Sequence, residues 1–126
     1  MRLKWNYLTG LFSYPKRHLR KLVKDGDYLE ALEFGKNLEK KHFNDHDLLF
    51  MIAGIYYING DATNALSYLD KTLALNQNDT EALLMKANLH LYLKDKDQAV
   101  DCCEKLRKID PQSKEIDEIL DKLEKL

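Results

Sequence analysis

Gly60-Asp61-Ala62-Thr63-Asn64-Ala65-Leu66 decides how this chain folds, because weakened copies of it lie 34 residues to either side. The earlier copy is Gly26-Asp27-Tyr28-Leu29-Glu30-Ala31-Leu32. The later one is Lys94-Asp95-Lys96-Asp97-Gln98-Ala99-Val100. Asp27, Asp61 and Asp95 keep the interval, and so do Ala31, Ala65 and Ala99. Self-similarity at a fixed period of this size marks a solenoid, in which each unit buries its apolar face only against its neighbours.

Helical patterning surrounds each copy. Leu48, Leu49, Ile52, Ile55 and Tyr56 recur at helical spacing between Asp47 and Ile58. Gly60-Asp61 reads as a left-handed helix stop followed by an N-cap carboxylate. The next stretch sets Ala65, Leu66, Leu69 and Leu73 on one stripe. Asn76 to Asp79 is a polar break, after which Glu81 to Leu93 begins a helix rich in Leu and Met. Lys94-Asp95 makes the next turn, and a helix from about residue 97 ends at Ile109 before Pro111, which cannot extend the backbone ladder. Strand-type alternation is absent. Short turns between such helices predict an all-α solenoid of antiparallel helix pairs.

The unit resembles the tetratricopeptide repeat. In residues 80–113, Leu83, Ala87, Ala99, Cys103 and Pro111 occupy the bulky, small, small, bulky and terminating places. Lys86 and His90 stand there where leucine and tyrosine are usual. Residues 46–79 match through Leu49, Ile52, Ala53, Tyr56, Ala65 and Leu69, with Gln77 in place of the proline. Residues 12–45 keep Gly26, Asp27, Ala31 and Leu38 in the second helix. Their first helix is degenerate, with Leu19 at the small position and His18 at an apolar one. The expected organisation is one domain over residues 1–126, with three units between an aromatic and basic segment (1–11) and a capping helix (114–126). In that helix Ile116, Ile119, Leu120 and Leu123 share a stripe. The resemblance also gives the small residues a role: Ala53 with Ala65, and Ala87 with Ala99, let two helix backbones approach closely.

Composition bounds the function. The 126 residues suffice for a core without disulfides, and the formal net charge is −1. No run approaches the roughly 18 apolar residues of a membrane span. Arg2 and Lys4 are followed by Asn6, Thr9 and Gly10, which interrupt any apolar signal region. The two cysteines are adjacent, Cys102 and Cys103, and a disulfide between them would be strained. They read as reduced thiols in a cytoplasmic protein.

No residue pattern points to catalysis, a cofactor or a metal. His42 and His46 flank the turn-like Asn44-Asp45, and Cys102-Cys103 lacks the spacing of a zinc or redox site. Glycine is too sparse for a phosphate loop. The expected function is a non-catalytic interaction scaffold. The family resemblance implies a concave groove lined by the first helix of each unit. It assigns Asp47, Phe50, Gly54, Tyr57 and Ile58 to it from the second unit, and Glu81, Leu84, Asn88, Leu91 and Tyr92 from the third. Ser13, Lys16, Arg20, Val23 and Lys24 come from the first. Phe50, Tyr57, Leu84 and Tyr92 would supply apolar area, Asn88 a backbone hydrogen bond, and Lys16, Arg20 and Lys24 attraction for acidic partner residues. Alternatively Ile58 and Leu91 belong to the core. A version of this groove that clamps a C-terminal carboxylate is matched poorly: Lys16 fits, but Arg20, Met51, Glu81 and Met85 depart from the pattern.

Charge is uneven along the chain. Residues 1–24 hold Arg2, Lys4, Lys16, Arg17, Arg20, Lys21 and Lys24 and no acidic residue, which leaves −8 on the other 102 residues. Trp5, Tyr7, Phe12 and Tyr14 interleave with these cations. Such a stretch attracts an acidic protein, or is a solvated face. Nucleic acid and an anionic membrane are further, less favoured partners, and a pI near 6.4 argues against bulk nucleic-acid affinity. The Trp5–Phe12 segment could also fill the groove of its own or another copy, giving a homo-oligomer.

Overall fold

The computed structural model describes residues 14–126, and among them there are seven helices and no strand. They are α1 (residues 14–24), α2 (Tyr28–Glu39), α3 (His46–Ile58), α4 (Ala62–Leu75), α5 (Thr80–Tyr92), α6 (Lys96–Ile109) and α7 (Lys114–Glu124). The segment 1–11, the Trp5–Phe12 stretch and Ser13 lie outside the described residues.

Local chemistry sets the boundaries. Asp45, Asp61, Asp79 and Asp95 each accept, through Oδ1, the backbone N–H three residues on, at 3.0–3.3 Å. Each therefore satisfies one of the orphan donors at a helix start. At the turns inside each pair the chain passes through left-handed backbone at Gly26 (φ 82°), Gly60 (φ 76°) and Lys94 (φ 59°). The next residue's N–H then reaches back five residues: Asp27 to Leu22, Asp61 to Tyr56, Asp95 to His90, at 2.8–2.9 Å. This is the helix-stop geometry in which a left-handed residue lets the last carbonyls be satisfied. Helix α6 begins at Lys96, one residue before the sequence expectation, because Asp95 itself is the cap.

Helices α3 and α4 pack as a pair, as do α5 and α6, while α2 packs on α3 and α4 on α5. Ala53, Ala65, Ala87 and Ala99 are completely buried. One core cluster runs from Leu19 through Ile52, Tyr56 and Leu69 to Leu89. A second joins Leu83, Cys103 and Leu106 to Ile116, Ile119 and Leu123 of α7, which seals the far end. Each fully buried leucine or isoleucine contributes about 1.5–3 kcal/mol relative to exposure.

The first pair departs from the repeat pattern in sequence but not in secondary structure. Helix α1 is regular, with Pro15 in its first turn, where a missing N–H costs nothing. Leu19 is completely buried although the aligned positions hold Ala53 and Ala87. Space for it comes from Gly35, at the position of Leu69 and Cys103. A Cβ there would lie 3.2 Å from Ile52 Cγ1 and 3.6 Å from Leu19 Cδ1. Large and small have exchanged places. His18 is absorbed as well, stacked on Tyr14 and edge-on to Phe34 at 4.7 Å between ring centres.

Candidate functional site

The first helices of the pairs, α1, α3 and α5, carry the residues assigned to the groove. Near their C-terminal ends, a cleft of about 280 Å³ is lined by Tyr57, Gly60, Ala62, Asn88, Leu89 and Tyr92. Three of the eight residues expected in the site, Tyr57, Asn88 and Tyr92, meet there. Tyr57 is 41% exposed and Tyr92 75%, so two aromatic rings stand at the mouth of one cleft. Asn88 Nδ2 donates to its own helix at Leu84 O (3.1 Å), which fixes the carboxamide. Its second N–H and its oxygen have further hydrogen-bonding capacity. Along α3, Gly54 leaves open space beside the backbone, with no atom near its missing Cβ.

The other expected residues are placed differently. Phe50 is half-buried against the first core cluster. Leu84 lines a separate cleft of about 110 Å³ with Glu81, Leu106, Asp110 and Glu115, where α5 meets the start of α7. Lys16 is held structurally: its Nζ lies 2.8 Å from Asp45 Oδ2 and 3.7 Å from Asp47 Oδ2. That pair also helps keep the Asp45 carboxyl below its ordinary range, against the opposing effect of its burial. Arg20 and Lys24 are exposed on α1. Ile58 is 51% exposed, so it is not the core residue of the alternative reading, whereas Leu91 does pack against the second core cluster.

Gly60, Ala62 and Leu89 line the cleft without having been singled out. They come from the turn and the inter-pair seam, and apolar periodicity reports those as fold rather than site. Elsewhere, His46 Nε2 sits 2.6 Å from Asp79 Oδ2, joining the caps of α3 and α5. Tyr68 Oη donates to Glu39 Oε1 at 2.6 Å, tying α4 to α2. Burial, then the Glu39 carboxylate, pushes the Tyr68 hydroxyl pKa well above its ordinary value. Both cysteines are free and buried, and burial pushes the Cys102 thiol up to about 11. Among the described residues no group of three or more His, Cys, Asp or Glu side chains is placed to hold a metal ion. No helix among them is long and apolar enough to cross a membrane.

A family model described as the tetratricopeptide repeat matches residues 56–123, more than half of the chain. The chain belongs to the tetratricopeptide repeat family. Similar solved tetratricopeptide structures include the first such domain of Spaghetti (RPAP3) bound to the HSP90 peptide SRMEEVD. It is 21% identical, with a TM-score of 0.82 and 89% of each chain covered. The TPR2B domain of yeast Sti1, in a complex with pHsp70, is 16% identical with a TM-score of 0.79, covering 89% of this chain and 94% of that one. A tetratricopeptide repeat protein from Parabacteroides merdae ATCC 43184 is 22% identical with a TM-score of 0.84. This chain spans 43% of its length. No curated protein matches the sequence. At these identities the structural likeness is one of fold. The family match begins at Tyr56, whereas the structural matches cover nearly nine-tenths of the chain.

Proposed function

We propose that this tetratricopeptide repeat protein is a non-catalytic interaction module that holds a partner segment across its concave face, anchored in the cleft between α3 and α5. The observation that carries the reading is the meeting of Tyr57, Asn88 and Tyr92 around about 280 Å³ of open space. That volume falls just under the roughly 300–1,000 Å³ typical of small-molecule sites. It suits one or two side chains of a protein partner. Exposed aromatic rings around a pocket are the usual anchors of such interfaces. The Spaghetti domain is bound to an HSP90 peptide, and the Sti1 domain is in a complex with pHsp70, which supports a protein or peptide ligand here.

In this reading Tyr57 and Tyr92 clasp an apolar side chain of the partner, and the Asn88 carboxamide bonds its backbone. Half-buried Phe50 adds apolar area along α3, whereas Leu84 contributes from the separate cleft beside α7. Arg20 and Lys24 draw acidic residues toward α1, with Lys16 contributing less because Asp45 and Asp47 already engage it. Two buried free thiols suit a reducing compartment such as the cytoplasm.

The test begins with peptides selected from a random display library against the full chain. Their affinity is then measured for Tyr57→Ala and Asn88→Ala. Loss of an aromatic anchor is expected to weaken binding by about 2 kcal/mol, and loss of the carboxamide by about 1 kcal/mol. Unchanged affinity in both folded variants sinks the groove.

A further inference from the structure

The seam between α2 and α4 is closed by a tyrosine, and the matching seam one unit later is not. Tyr68 of α4 reaches across to donate to Glu39 Oε1 at 2.6 Å, and its ring stacks on Tyr56 with centres 5.7 Å apart. Lys71 Nζ lies 3.2 Å from Glu39 Oε2 and 4.3 Å from the Tyr68 ring centre, which completes the closure. Advanced by 34 residues, Tyr68 becomes Cys102, Tyr56 becomes His90, Glu39 becomes Leu73 and Lys71 becomes Lys105. A thiol is too short to span the gap that a phenol spans. Leu73 and Lys105 accordingly line an open cleft of about 340 Å³ between α4 and α6. It shares no lining residue with the cleft of Tyr57 and Tyr92.

The lining of this cleft has two characters. Leu73, Leu83 and Ile109 give it an apolar side, and the volume lies within the roughly 300–1,000 Å³ of small-ligand sites. Lys86, Lys105 and Lys108 give it cations, against Asp70 as the acid of the lining, and Gln77 and Asn78 add carboxamide donors. Lys86 stands where the second unit has the completely buried Ile52. Its Nζ pairs with Asp70 Oδ1 at 2.8 Å, and Lys105 Nζ pairs with Asp101 Oδ2 at 3.1 Å. Lys108 takes part in no ion pair among the described residues. Counting Asp101 with the lining, three cations face two carboxylates. Both carboxylates are solvated, with side chains 61% and 52% exposed, and pairs of that kind contribute only about 0–1 kcal/mol. A ligand anion can therefore share their lysines at small cost. The nearby carboxylate of Asp79 is occupied by His46 Nε2 and the Ala82 N–H, and Asp110 lines the separate cleft beside α7. A vacated ring space, apolar walls and two exposed lysines one helical turn apart on α6 together describe a ring that carries a doubly charged head.

We propose that the α4–α6 cleft binds an aryl phosphate, independently of the peptide cleft. The ring takes the space that the Tyr68 phenol fills one unit earlier, and the phosphate meets Lys105 and Lys108. Two-dimensional amide NMR of the full chain, titrated with phenyl phosphate, inorganic phosphate and phenol, tests this. Phenyl phosphate should shift Leu73, Leu83, Lys105 and Ile109 to saturation and leave Tyr57 and Tyr92 unmoved. Inorganic phosphate and phenol, each lacking half of the recognised group, should bind at least about tenfold more weakly. Lys105→Gln with Lys108→Gln should lose at least about tenfold, whereas Lys122→Gln with Lys125→Gln, the same charge change on α7, should bind as the parent does. Cys102→Tyr keeps every lysine and refills the ring space, so it should abolish binding. If that variant fails to fold by circular dichroism, the lysine pairs, all at exposed positions, decide. A short glycine–serine peptide carrying phosphotyrosine separates the sources. Tighter binding than phenyl phosphate assigns the site to a modified side chain of a partner, and weaker binding to a free small molecule. The proposal is overturned if phenyl phosphate gives no saturable shifts, if inorganic phosphate binds equally well, or if both lysine pairs lose equally. Unchanged binding by folded Cys102→Tyr, or shifts centred on Tyr57 and Tyr92, also overturns it.

Discussion

Lys94 adopts a backbone conformation that its own side chain opposes. At the two equivalent turns the sequence supplies Gly26 and Gly60, but here a lysine sits at φ 59°, where an L-residue pays about 1–2 kcal/mol. Lys94→Gly removes the clash and returns part of the gain as unfolded-chain entropy. A net stabilisation of about 0.5–1 kcal/mol is expected in urea unfolding, with an unchanged m-value. His90 is a second residue out of pattern, buried where the preceding unit has Tyr56. Burial lowers its pKa below the ordinary 6.5. The Asp95 carboxylate, 3.8 Å away, and Asp70 pull it upward, while Lys86 pushes it down. The folded state thus resists a proton that the unfolded chain accepts. Its contribution to stability is complete above about pH 6.5 and is lost as pH falls through that value toward the folded pKa. Melting curves between about pH 7.5 and pH 5.5 should show a falling Tm that is shallower in His90→Phe. An equal slope in both proteins would assign the effect to other groups.

At the level of elements, the α1–α2 pair teaches most. Leu19 and Gly35 each look like a defect when set against the other two units, and together they are one packing solution. Leu19→Ala alone should cost about 2–5 kcal/mol for the cavity left behind. Gly35→Leu alone should cost about 1–3 kcal/mol because Ile52 and Leu19 already fill the site. Combined, they recreate the arrangement of the other pairs, so the double variant should be more stable than the sum by at least about 1 kcal/mol. Strict additivity in denaturant unfolding contradicts the exchange. The turns, the caps and the α7 stripe were legible in the sequence because each is a short-range rule: a left-handed residue, an aspartate three residues before its donor, apolar residues on one face. The Leu19–Gly35 exchange was not legible, since it joins residues from two helices whose register only the packed core reveals. The ion pairs of Lys16 were hidden for a similar reason. A lysine at a groove position looks free until Asp45 and Asp47 are brought beside it by the fold.

Over the described residues, the 34-residue period sets a short solenoid of stacked helix pairs. One cleft brings together Tyr57, Asn88 and Tyr92, three of the residues that the family pattern named, although they lie up to 35 positions apart (92 − 57). That pattern did not anticipate that Leu84 opens on a different cleft, because that cleft is completed by α7, where the repeat pattern weakens. The proposed peptide site is the aromatic cleft between α3 and α5. The central claim is that the cleft between α3 and α5 is the peptide site. Two-dimensional amide NMR of the chain, titrated with a peptide selected on it, reads this directly. Shifts should concentrate at Gly54, Tyr57, Gly60, Asn88 and Tyr92, and leave Leu75 and Ile109 on the second helices unmoved. Shifts confined to the second helices, with Tyr57 and Asn88 silent at saturation, would contradict it.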